Sequence, residues 1–151
     1  SFMNMSPDLR SNPPHPHPAA STNTNYTLTP ENSNLSPNVE LEVRLGGGPS
    51  VGYQYPLTPP RIRVVRPRFA FHTGHITVGG SLCTEILTSS GWNPQTSLSA
   101  LVVFIHQLII DGEGRVDFGS FHCYDPLLPY SLEESEIAFR RVAHDHNWSV
   151  L

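Results

Sequence analysis

The sequence predicts an α+β domain in which an antiparallel sheet precedes two helices. Residues 39–45 and 61–65 alternate apolar and charged side chains, which is typical of half-buried strands. A later segment repeats apolar residues at helical spacing: Leu98, Leu101, Val102, Ile105, Leu108 and Ile109. Because the strands come before the helices, we expect an antiparallel sheet with helices packed on one side.

The first 38 residues differ in composition from the rest of the chain. They are rich in Ser, Asn, Thr and Pro, and they lack the apolar periodicity needed to bury a face. We therefore expect a flexible arm over residues 1–38 and a single domain over residues 39–151. Within the arm, Tyr26 to Leu28 could supply a short strand.

Turn and proline signals set the limits of the two strands. A glycine run that begins at Gly46 ends the first strand. The second strand begins after Pro59 and Pro60, since proline is tolerated at a strand entry. Between the strands, we expect residues 55–60 to form a rigid extended connection.

Both helices carry local start signals. Pro94 and a cap at Thr96 or Ser97 mark the beginning of the first helix, and Gly112 and Gly114 mark its end. The second helix begins with the capping box Ser131-Leu132-Glu133-Glu134 and is expected to run to about His144.

Charge and apolar content exclude two classes of partner. The net charge is -4, with only nine Lys and Arg residues, so the chain is not expected to bind nucleic acid. No apolar stretch of about 18 residues is present, so we expect no membrane partner. The two cysteines do not resemble a disulfide framework and no signal peptide is evident, which favours a cytoplasmic or nuclear location.

Cys83 carries the functional prediction. It follows Gly79-Gly80-Ser81-Leu82 and precedes Thr84-Glu85-Ile86-Leu87-Thr88, a turn that leads into an apolar segment. The segment Tyr55-Pro56-Leu57-Thr58-Pro59-Pro60 lies before it and Gly91-Trp92 after it. A thiol in such a turn can be exposed and reactive, although a free cysteine is more commonly a small buried apolar residue.

The order and spacing of these segments resemble the Q-type branch of the ubiquitin-conjugating enzymes, over roughly residues 39 to 148. This resemblance implies the fold of that family, with the N-terminal helix missing or atypical, because residues 1–38 offer poor material for it. It implies that Cys83 accepts ubiquitin as a thioester and transfers it to a lysine amine. The implied partners are ubiquitin, a ubiquitin-activating enzyme and a ubiquitin ligase, and no cofactor or metal is implied.

His75 is the second candidate catalytic residue. Most members of the wider family carry His-Pro-Asn, with the asparagine eight residues before the cysteine. The matching triplet here is Thr73-Gly74-His75, so the motif is absent, as it is in the Q-type branch. A histidine could stabilise an oxyanion or help to deprotonate the incoming amine. An equal alternative is that His75 only hydrogen-bonds to the loop backbone.

Three other functions remain open. The chain could be a catalytically silent member that binds ubiquitin or another partner, as the absent His-Pro-Asn motif would allow. It could be a cysteine hydrolase that pairs Cys83 with His75, His106 or His122, although no hydrolase signature surrounds the thiol. A zinc site involving Cys83, Cys123 and histidines is weakly supported, because the ligand spacing of known zinc sites is missing.

Overall fold

The computed structural model describes residues 23–28, 38–46, 54–120 and 125–150. Its elements, in chain order, are strands β1 (Asn23–Leu28), β2 (Val39–Arg44) and β3 (Arg61–Arg66), a short 3₁₀ helix (Glu85–Leu87), and helices α1 (Leu98–Asp111) and α2 (Leu132–Asp145). The strands form one antiparallel sheet in the order β1-β2-β3. The predicted α+β class and the order of strands before helices are confirmed.

Strand β1 lies within the segment that composition predicted to be an arm. It pairs with β2 from Asn23, opposite Arg44, to Leu28, opposite Val39. The short strand expected at Tyr26 to Leu28 is therefore present, and it begins at Asn23. Residues 1–22 and 29–37 lie outside the described residues, so the arm, the atypical N-terminal helix and the boundary at residue 39 stay predictions.

The alternation of the sequence places one face of the sheet in the core. Leu41 lies opposite Val64 and Val43 opposite Ile62, and all four side chains are buried. Helix α1 contributes its buried stripe to the same cluster: Leu101, Ile105 and Ile109. This spacing of four residues keeps the stripe on one side of the helix, as the apolar pattern predicted.

The predicted caps are confirmed. The Ser97 hydroxyl accepts a hydrogen bond from the Ala100 amide at 3.2 Å, and Gly112 ends α1. At the start of α2, the Ser131 hydroxyl accepts from the Glu134 amide at 3.1 Å, while the Glu134 carboxylate accepts from the Ser131 amide at 2.6 Å. These contacts satisfy amides that have no partner inside a helix, so each helix begins where the sequence indicated.

The connection before β3 is not fully extended, so that prediction is wrong for its first half. Residues 55–57 form a turn, and the Thr58 amide donates to the Gln54 carbonyl at 2.9 Å. The turn brings the Pro56 carbonyl to the indole Nε1 of Trp92, which donates a hydrogen bond at 2.7 Å. This tertiary contact with a residue far along the chain is not visible in the local sequence.

Helices α1 and α2 have 14 residues each. A helix that crosses a bilayer needs about 20 predominantly apolar residues. Within the part of the chain that the structure describes, no helix is long and apolar enough to span a membrane.

Candidate functional site

A tight hairpin over residues 75–83 presents Cys83 at its open end. The Cys83 amide donates to the His75 carbonyl at 2.8 Å, and Ile76 and Leu82 form an antiparallel bridge. Both bridge side chains belong to the core. Because Leu82 is fully buried, the position of the adjacent Cys83 is anchored to the core of the domain.

The turn of this hairpin is packed against the rest of the chain. Gly80 has φ +82°, and a Cβ built on it would lie 2.5 Å from the ring of Tyr130 and 2.9 Å from the Val64 carbonyl oxygen. A Cβ on Gly79 would overlap the Glu134 carbonyl of α2. The two glycines therefore allow the hairpin to approach β3 and α2, since only glycine lacks the atom that would collide.

Cys83 is a free, half-buried thiol. Burial raises the pKa of the Cys83 thiol above its ordinary value, because the thiolate is less well solvated there. The thiolate, not the thiol, is the nucleophile. At neutral pH the group is therefore mostly protonated, and a nearby base would make it a better nucleophile.

The structure places such a base beside the thiol. Nε2 of His146 lies 3.7 Å from Sγ of Cys83, within the range of a hydrogen bond to sulfur. The His146 ring stacks on Trp148, with ring centroids 4.5 Å apart and planes inclined by 14°. This stacking restricts the rotation of the imidazole, which keeps Nε2 directed at the thiol.

The backbone at the end of α2 determines where His146 lies. His146 is the C-cap, and Asn147 follows with φ +57°, in the left-handed region. The Trp148 amide donates to the Ala143 carbonyl at 2.8 Å, and the Asn147 amide donates to the His144 carbonyl at 3.0 Å. This pair of bonds is a Schellman motif, which satisfies the last carbonyls of the helix.

His75 contacts Cys83 through the backbone and not through its side chain. The His75 carbonyl accepts from the Cys83 amide, and the residue has φ +54°. Its ring lies against the end of α1, where a Cβ built on Gly112 would be 2.7 Å from Cδ2 of His75. The role of His75 in chemistry therefore stays a prediction.

The proline and tryptophan segments meet next to the residues that follow Cys83. The Trp92 amide donates to the Thr88 carbonyl at 3.0 Å, and its indole binds the Pro56 carbonyl. The rings of Tyr55 and Trp92 are 6.3 Å apart. These two motifs, which lie far apart in the sequence, are thus joined in a single cluster.

The structure does not show the other candidate histidines and cysteine beside Cys83. His106 lies in the middle of α1, and the described residues show no hydrogen bond between it and Cys83. His122 and Cys123 lie outside the described residues. Among the residues that the structure does describe, no group of three His, Cys, Asp or Glu side chains could hold a metal ion.

Sequence reasoning missed His146. Its only local signal is that it precedes an asparagine at the end of a predicted helix, which favours a C-cap. Nothing in that signal indicates which distant residue the imidazole contacts.

Comparison with known proteins matches part of this chain to one enzyme family. The family model for "Ubiquitin-conjugating enzyme" matches residues 50–115, which include both His75 and Cys83. Human "Ubiquitin-conjugating enzyme E2 Q1" is 29% identical over 92 residues, covering 61% of this chain and 20% of that protein. "Ubiquitin-conjugating enzyme E2 25" of Caenorhabditis elegans is 28% identical over 93 residues, covering 62% of this chain and 22% of that protein.

A shorter relative is similar to this chain to about the same extent. A human protein that is named as similar to the Q-type ubiquitin-conjugating enzymes is 27% identical over 92 residues, covering 61% of this chain and 54% of that protein. The chain thus spans between about a fifth and about half the length of these curated relatives. Together with the α+β fold, these matches support a ubiquitin-conjugating-like domain of the Q branch in this chain.

Proposed function

We propose that this domain accepts ubiquitin as a thioester on Cys83 and transfers it to a lysine amine. One observation carries the proposal: a half-buried free thiol lies 3.7 Å from the imidazole of His146. The matches to ubiquitin-conjugating enzymes support ubiquitin as the group that is carried. The raised pKa of Cys83 makes the neighbouring base important, because little thiolate forms without it.

The first step would load the domain. The thiol proton of Cys83 moves to Nε2 of His146, and the sulfur attacks the carbonyl carbon of ubiquitin that is held as a thioester on a ubiquitin-activating enzyme. A new carbon–sulfur bond forms as the old one breaks. The thiolate that leaves the activating enzyme takes up a proton, so the number of thioesters is conserved.

The second step would transfer ubiquitin. The neutral amine of a lysine attacks the thioester carbon, a carbon–nitrogen bond forms, and the bond to Sγ breaks. Cys83 leaves as a thiolate, and the proton lost by the amine returns to the sulfur through a base. His75, whose backbone faces Cys83 across the hairpin, is our candidate for stabilising the oxyanion of this step.

The proposal has consequences for partners and location. It requires an activating enzyme upstream, and a ubiquitin ligase or direct recognition of the substrate downstream. We further propose that the protein acts in the cytoplasm or the nucleus, where thiols stay reduced.

A charging assay tests the proposal. The chain is incubated with activating enzyme, ATP and ubiquitin, and the products are separated on gels with and without a thiol reductant. We expect a reductant-sensitive adduct that disappears in Cys83→Ala. Cys123→Ala is the matched control and should still charge, because the other cysteine has no part in the proposal.

The converse result would support the silent alternative. If a folded chain forms no adduct while a known conjugating enzyme charges in the same mixture, the carrier role is wrong. Binding of ubiquitin that is equal in the wild type and in Cys83→Ala would then identify a binding module. That alternative is consistent with the absence of His-Pro-Asn and with the raised pKa of Cys83.

A further inference from the structure

A cavity of about 310 Å³ lies between the sheet and α2. Ser81 of the Cys83 hairpin and residues 87–89 also line it. Its apolar wall consists of Ile62, Leu87, Leu132, Phe139 and Val150. Small-molecule sites have volumes of about 300–1,000 Å³, so this cavity suits a small ligand with an apolar body.

A like-charge pair lies at the edge of this cavity. Arg44 of β2 and Arg61 of β3 are directly opposite in the sheet register, and both line the cavity. The other charged cross-strand pairs have opposite signs: Glu42 with Arg63 and Glu40 with Arg66. Like charges directly opposite each other destabilise a sheet. An anion bound between Arg44 and Arg61 would be attracted by both guanidinium groups.

The charges of the cavity lining do not balance. The lining contains four arginines and two glutamates: Arg44, Arg61, Arg63, Arg140, Glu42 and Glu136. Each carboxylate is shared by two guanidinium groups. Glu42 pairs with Arg44 and Arg63, and Glu136 pairs with Arg61 at 3.5 Å and Arg140 at 3.8 Å. Counted over these six lining residues alone, arginines outnumber glutamates by two.

The arginines of the like-charge pair are accessible. The side chains of Arg44 and Arg61 are 30% and 50% exposed. Arg44 Nε is buried and has no hydrogen-bond partner among the described residues. A guanidinium group has five N–H donors, so Arg44 can accommodate a further acceptor beside its bond to Glu42.

We propose that this cavity binds a small amphipathic anion, with its acidic head between Arg44 and Arg61 and its apolar body against Leu132 and Phe139. Carboxylate and phosphate heads share the required chemistry, because both accept parallel hydrogen bonds from arginine. The site is distinct from Cys83, and the proposal does not depend on thioester chemistry.

Binding of defined probes to the full chain tests this site. Decanoate and decyl phosphate carry a carboxylate and a phosphate head on the same ten-carbon chain. Decan-1-ol has this apolar chain without a charge. Acetate has the charge without the long apolar chain. Titration calorimetry should show saturable 1:1 binding of decanoate, decyl phosphate or both. The tighter of the two identifies the preferred head, and decan-1-ol and acetate should bind at least about tenfold more weakly.

Two matched variants test whether the probe binds in this cavity. Arg61→Met should weaken binding of the preferred probe by about tenfold or more, because it removes a charge-assisted hydrogen bond. Arg141→Met removes an exposed arginine of α2 that does not line the cavity, so it should leave the affinity unchanged. Absence of saturable binding, equal binding of decan-1-ol, or equal effects of the two variants would each overturn the proposal. Circular dichroism of each variant verifies that it is folded.

Discussion

Sγ of Cys83 and Nε2 of His146 lie 3.7 Å apart although the two residues are 63 positions apart in the chain. The hairpin anchors the thiol through the buried Leu82, and the end of α2 holds the imidazole. The Ser89 amide also donates to the Ser149 carbonyl at 3.1 Å, which ties the segment after Cys83 to the segment after His146. The relative position of thiol and imidazole is therefore set by three separate contacts.

The first prediction concerns this pair. His146→Gln should slow charging of Cys83 by about 10²-fold, because general-base catalysis contributes at least that much. The defect should shrink as the pH rises toward the raised pKa of Cys83, since the thiolate then forms without a base. The measurement is the rate of adduct formation as a function of pH.

His144→Gln is the control for that experiment. His144 is an exposed residue of the same helix end and contacts Asp145, not Cys83. The His144→Gln variant should form the ubiquitin adduct at the wild-type rate at every pH. A His146→Gln defect that is the same at every pH would show that His146 only supports the local structure.

The second prediction separates two roles of His75. With φ +54°, this residue has a backbone conformation that Asn and Gly accept and that most other residues resist. His75→Asn keeps a side-chain donor, whereas His75→Gly removes it. If the side chain stabilises an oxyanion, the glycine variant should lose about 10²-fold in the transfer rate and the asparagine variant much less.

The readout is the single-turnover transfer of ubiquitin from preloaded Cys83 to free lysine. Loading the domain beforehand removes the charging step from the measured rate. Wild-type rates in both variants would mean that His75 acts only through its backbone bond to Cys83.

The fold was predictable where local signals decide it. Ser131 and Glu134 form the capping box that their spacing indicated, and the alternation in β2 and β3 placed the correct residues in the core. Such patterns depend on backbone geometry within a few residues. Cys83 could be singled out for the same reason, since its flanking segments are short and characteristic in order.

The partner of Cys83 was not predictable in this way. The contact with His146 depends on how α2 packs against the hairpin, and no periodicity in the sequence encodes that arrangement. His75 lies at the position that the family motif indicates, but its φ of +54° and the contact of its ring with Gly112 could not be read from the sequence. The like-charge pair of Arg44 and Arg61 also depends on strand register, which the sequence alone leaves open.

The third prediction tests how His146 is positioned. Asn147 occupies the left-handed region at φ +57°, which glycine adopts without strain and a β-branched residue does not. Asn147→Val should destabilise the domain by about 1–2 kcal/mol. Asn147→Gly should preserve both stability and charging. Urea unfolding and the charging rate, measured on both variants, check the prediction.

The free energy of unfolding and the charging rate report two different effects of these substitutions. A valine variant that remains folded but charges slowly would show that the Schellman motif positions His146 for chemistry. Equal stability of the valine and glycine variants would contradict the assigned backbone conformation of Asn147.

The fourth prediction concerns the packing of the Cys83 hairpin. Gly80 and Gly119 both have positive φ, +82° and +108°, so an alanine is strained at either position. At Gly80 the added Cβ would also lie 2.5 Å from the ring of Tyr130, whereas at Gly119 it would meet no atom of the described residues within 4 Å. Gly80→Ala should therefore destabilise the domain by about 1–3 kcal/mol more than Gly119→Ala, because overpacking adds to the backbone strain.

Thermal or urea unfolding of the two variants measures this difference directly. Gly119→Ala controls for the strain, and what remains is the collision with Tyr130. If Gly80→Ala loses more stability than Gly119→Ala, charging should also fall in the Gly80 variant, because the hairpin that presents Cys83 can no longer approach β3 at its normal distance. Equal destabilisation by both alanines would mean that the hairpin has room to move away from Tyr130, and the rigid presentation of Cys83 would then be wrong.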